Sequence, residues 1–116
     1  MTLKAYQNTQ RITEDPRQTE YRLFGDVTGA LIGAQRVQAS GGSLVEVIDW
    51  NRRVWRTLAA DCIDEHNQLP EGVRAQIVSL SLWVTKYSKE VIRKGAPLDP
   101  LITVNRTIME GLRGAA

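Results

Sequence analysis

The chain has 116 residues, 42% of them apolar and 24% charged, and its 15 basic and 13 acidic side chains leave a net charge of +2. That length predicts a single domain over residues 1–116, which buries roughly two-thirds of its unfolded surface without help from metals or disulfides. The composition excludes a disordered chain, and the near-balanced charge gives no electrostatic case for nucleic acid.

No apolar run approaches the roughly 18 residues that read as a membrane span. The opening "MTLKAYQNTQR" has no apolar signal core, and the lone Cys62 has no partner for an internal disulfide. A cytoplasmic protein without membrane contact is expected.

The elements read as helices throughout, because no stretch alternates apolar and polar residues for long enough to make a strand. Residues 3–12 are polar apart from Leu3, Ala5, Tyr6 and Ile12, and predict a short, weak helix that persists only if docked. A second helix opens at Asp15 as N-cap, with Pro16 at the first helical position and Gln18 completing a capping box. It runs to about Gln38. Phe24, Val27, Leu31 and Ala34 share its apolar side, and Gly25, Gly29 and Gly33 recur every fourth residue on another. Such a row implies either very close helix packing or a helix that bends and melts easily, since each glycine costs roughly 1 kcal/mol relative to alanine. With the "SGG" break after it, the row suggests a helix able to shift.

A third helix is predicted to open at Ser43, with Glu46 closing a second capping box, and to end near Ile63. Leu44, Val47, Ile48, Trp55, Leu58, Ala59 and Cys62 make its apolar face, with Asn51 among them and Trp50 at the edge. Trp55 reads as core. Arg52, Arg53 and Arg56 lie on the polar side as a candidate basic surface. After the loop "DEHNQ", a fourth helix opens around Leu69-Pro70 and stops at Gly95, a suitable C-cap. Val73, Ile77, Leu80, Val84, Tyr87 and Val91 form its stripe, yet Val78 and Leu82 fall opposite and Trp83 on a flank. A helix apolar nearly all round is either central to its fold or covered by a partner. A fifth helix starts at Asp99-Pro100 and reaches about Leu112, with Asn105 among its apolar positions. The short connections predict an all-α fold, a compact bundle of four long helices plus the short N-terminal one.

Chemistry-bearing motifs are absent. Cys62 and His66 are too few for a zinc set and carry no further marks of a nucleophile–base pair, so neither metal nor catalytic residues are expected. No glycine loop follows a strand, so no nucleotide or other cofactor is expected. Asn105-Arg106-Thr107 matches a glycosylation sequon, but within a helix of a chain expected to be cytoplasmic it is discounted. The basic group Lys86, Lys89, Arg93 and Lys94 sits near a helix C-terminus, where the dipole favours cations.

Four blocks carry a family likeness: "AYQNTQRITEDPRQTEYRLFGDVTGAL", "DWNRRVWRTLAADC", "LPEGVRAQIVSLSLWVTKYS" and "PLITVNRTIMEGL". In order and spacing they resemble the flagellar biosynthesis regulator FlaF family, from about Ala5 to Leu112. The resemblance implies a cytoplasmic, non-enzymatic protein of bacterial flagellum biogenesis. It would act as a flagellin-binding chaperone for type III export and regulate flagellin synthesis. The alternative it implies is post-transcriptional control of flagellin messenger RNA, directly or through a second regulator, FlbT. For a chaperone, helix-in-groove recognition of flagellin's terminal amphipathic helices is the expected mode, with Trp50, Val78, Leu82 and Trp83 as the candidate partner-binding residues. For direct RNA contact, the candidates are Arg52, Arg53 and Arg56.

Overall fold

The computed structural model describes residues 16–114. Four helices make up an all-helical globule: α1 Pro16–Arg36, α2 Gly41–Ile63, α3 Glu71–Lys94 and α4 Asp99–Gly114, with no strand among the described residues. The short helix expected over 3–12, and the N-cap expected at Asp15, lie outside the described residues. Pro16 opens α1 as its fixed φ predicts.

Two boundaries differ from the sequence expectation. α1 stops at Arg36, two residues before Gln38, because Gln38 adopts a left-handed φ of 51°. The Ala39 N–H then bonds back to the Ala34 carbonyl at 2.9 Å and the Gln38 N–H to Gln35 at 3.2 Å, a Schellman closure built without glycine. α2 begins at Gly41, not Ser43, with Ser40 at the N-cap but no side-chain cap. Ser43 already lies within the first turn, where its hydroxyl donates to the Ser40 carbonyl at 3.1 Å. The capping box read at Ser43–Glu46 is therefore not the start of the helix. α3 ends as expected at Gly95, whose φ of 67° suits glycine and whose N–H bonds to the Val91 carbonyl.

The principal helix pairs are α2 with α3, α1 with α4, and α1 with α2. α1 and α2 thus form the middle and α3 lies at one side. Of the two readings open for the helix at 71–94, the central one does not hold. Its inner stripe of Ile77, Val84, Ser88 and Val91 is buried, while Leu82 on the outer side is 67% exposed.

The core joins Phe24, Val27 and Leu31 of α1 to Ile48, Trp55 and Leu58 of α2 and Leu101 of α4. Trp55 is 1% exposed, as its place on the apolar face predicts. Its ring meets Phe24 edge-on, with centroids 5.2 Å apart at 90°, an arrangement that contributes about 0.5–1.5 kcal/mol beyond the area buried.

A polar knot crosses this core. Asn105 Oδ1 accepts from Trp55 Nε1 at 2.7 Å, and its Nδ2 donates to Asn51 Oδ1 at 2.8 Å and to Thr28 Oγ1 at 3.1 Å. Thr28 in turn donates to the Phe24 carbonyl at 2.5 Å. Three helices are thereby fixed in register by one amide, which apolar contacts alone specify less tightly. The two Asn residues that looked misplaced on apolar faces are partners. Burial of Asn105 also removes it as a glycosylation acceptor.

The close-packing reading of the glycine row fails. A Cβ at Gly25 would stand 3.6 Å from Met109 Cε, an ordinary contact, and at Gly29 or Gly33 it would meet nothing within 4 Å. Gly29 and Gly33 lie on an open side of α1, so their effect is to weaken that helix.

Candidate partner-binding site

Between α1 and α2 an open groove of about 160 Å³ is lined by Glu20, Leu23, Phe24, Trp50, Arg53, Val54, Thr57 and Leu58. The helical repeat explains the set. Trp50, Val54, Thr57 and Leu58 follow three- and four-residue steps along one side of α2, while Glu20, Leu23 and Phe24 do the same on α1. Leu23, Phe24, Trp50, Val54 and Leu58 make the floor and walls apolar. Glu20 and Arg53 place opposite charges at the rim. Both are already held: Glu20 pairs with Arg17 at 2.5 Å, and Arg53 Nε lies 3.2 Å from Asp49 Oδ2.

The four candidate partner residues are not brought together. Trp50 is half-buried and belongs to the groove. Val78 is half-buried against the core from α3. Trp83 is 37% exposed and stacks on Tyr87, centroids 5.0 Å apart. The Tyr87 hydroxyl donates to the Pro97 carbonyl at 2.5 Å, tying α3 to the link before α4. Leu82 alone stands clear of its surroundings, and none of the three α3 residues lines the groove. The sequence reading did not assign Leu23, Val54, Phe24 or Leu58 to a site. Spacing marked Phe24 and Leu58 as parts of core faces and placed Leu23 and Val54 on neither, and only the separation of two neighbouring helices turns these four into walls of a groove.

The arginine cluster is partly neutralised. Asp49 pairs with Arg52 at 3.4 Å as well as with Arg53, and Arg56 is exposed beside them. Cys62 is buried. Desolvation, then the nearby Glu20 carboxylate, push its thiol pKa up, against a lowering by Arg17. His66, four residues on, is exposed in the turn. Among the described residues no three His, Cys, Asp or Glu side chains come together as a metal set. No helix among them is long and apolar enough to cross a membrane.

The family model for flagellar protein FlaF matches residues 2–112. The chain belongs to the FlaF family. No curated protein and no solved structure matches it. The FlaF match takes in α1, α2, α3 and all but the last two residues of α4. The groove and the outer side of α3 are therefore both parts of the FlaF unit.

Proposed function

We propose that this FlaF-family chain is a non-enzymatic flagellin-binding chaperone for type III export in the cytoplasm, and that it regulates flagellin synthesis through that binding. Membership of a flagellar protein family supports the setting. The observation that carries the binding reading is the open apolar groove between α1 and α2. Unpolymerised flagellin would expose amphipathic helices whose apolar faces aggregate unless covered. A cavity of about 150 Å³ holds a benzene-sized group, so the groove takes one large side chain of such a helix as an anchor. The rest of the client helix lies across the rim between Glu20 and Arg53. Concentrating affinity in one desolvated aromatic pocket is how most interfaces work.

Purified protein mixed with monomeric flagellin is expected to travel with it as one complex on a sizing column and to slow flagellin aggregation. Separate elution of the two proteins at micromolar concentration would overturn the reading.

The second reading is control of flagellin messenger RNA, directly or through FlbT. Its direct form has less support, because Asp49 already engages Arg52 and Arg53, and RNA affinity depends on cations free to meet phosphates. Changing Arg52, Arg53 and Arg56 to Glu tests it. Unaltered flagellin translation by the folded variant excludes direct contact, and lost translational control with flagellin binding intact supports it.

A further inference from the structure

We propose that the outer face of α3 is a self-association surface, on which two copies of this chain pair their α3 helices antiparallel about a two-fold axis at Leu82. α3 is 24 residues long and Leu82 stands at its middle, 67% exposed. Glu71 and Arg93 each lie about three helical turns from Leu82, in opposite directions and on the same face. Ala75 and Ser79 fill the stripe on the acidic side of Leu82, and Lys86 and Lys89 fill it on the basic side. All of these side chains are exposed. Glu71, Lys86, Lys89 and Arg93 take part in no ion pair among the described residues.

The helix dipole accounts for Arg93 and Lys94 in the last turn, where its influence is confined, but not for Lys86 and Lys89 further in. The stripe as a whole is self-complementary. An antiparallel copy centred on Leu82 sets leucine on leucine, Arg93 on Glu71 at both ends, and the aliphatic stems of Lys86 and Lys89 over small residues. A parallel copy stacks like charges along half of the helix and is disfavoured. α3 packs chiefly on α2, so this face is open, and the α1–α2 groove lies apart from it. One helix face is smaller than the roughly 800 Å² per partner of a standard interface, so association is concentration-dependent.

Sedimentation velocity on the purified protein, from about 1 μM to about 1 mM, tests this. The mass of the wild type is expected to rise from 13.0 kDa toward twice that value. Leu82→Asp, at an exposed position and with an unchanged thermal melt, is expected to stay at one chain. Glu71→Arg and Arg93→Glu each disturb two symmetric pairs and are expected to weaken association about tenfold, while the double variant restores it. A wild type that remains at 13.0 kDa throughout overturns the proposal. So does a Leu82→Asp variant that associates like the wild type, or a double variant no tighter than the singles.

Discussion

At the scale of single residues, Asn105 is the side chain on which the core's register turns. Its amide bonds Trp55, Asn51 and Thr28 from a fully buried position. Asn105→Ala removes all three bonds and strands the Trp55 N–H in an apolar surround. Each neutral bond contributes about 1 kcal/mol and an orphaned buried donor costs about 1–3 kcal/mol. A loss near 3 kcal/mol is therefore expected in urea unfolding, and a loss under about 0.5 kcal/mol would mean the knot is incidental. Cys62 gives a second residue-level prediction. Its pKa is raised in the fold, by desolvation first, so the folded state prefers the thiol. The stability this contributes is fully present below the ordinary value of 9.0 and lost as pH rises through the folded value. A thiol reagent at pH 8 should react with native Cys62 far more slowly than with the urea-unfolded chain. Equal rates would contradict the burial.

At the scale of elements, α1 is the weak member, and its glycines are the reason. Gly29 and Gly33 face open space, so alanine fits at both without clash. Gly29→Ala and Gly33→Ala should each stabilise by about 1 kcal/mol, seen as a higher melting temperature and slower amide exchange over 16–36. No gain from either would show that α1 is already held rigid by its contacts with α2 and α4. The same helix shows where sequence reading stops. Phe24, Val27, Leu31 and Ala34 announced its inner face through their spacing, and all four are buried. Whether the glycine row faced a neighbour was not legible, because periodicity gives the angle between two stripes but not which one meets another helix. Gln38 closes α1 in a conformation usually left to glycine, so the stop came earlier than residue type suggested. Ser43 with Glu46 had the spacing of a helix start, but Ser40 holds the N-cap.

At the scale of the whole molecule, the all-α class and the four long helices were legible, since long periodic stretches separated by "ASGGS", "DEHNQ" and Gly95 leave little choice. The packing order was not. α3 looked central from its all-round apolar residues, yet it flanks α2, and its extra apolar residues have separate uses. Val78 leans on the core, Trp83 stacks on Tyr87, and Leu82 is left outside. The candidate site was half legible: Trp50 was singled out from the edge of an apolar face, but its groove depends on Leu23 and Phe24 from another helix. The molecule thus offers two separate surfaces, an open apolar groove between α1 and α2 and an exposed stripe on α3 with acidic and basic ends. The central claim is that the groove holds flagellin, and calorimetric titration of monomeric flagellin into the wild type and into Trp50→Ala tests it most directly. Loss of a hot-spot aromatic costs 2 kcal/mol or more, about 30-fold in Kd. The account predicts a saturable complex for the wild type and at least that weakening for the folded variant. No binding by the wild type, or equal affinity for both proteins, would contradict it.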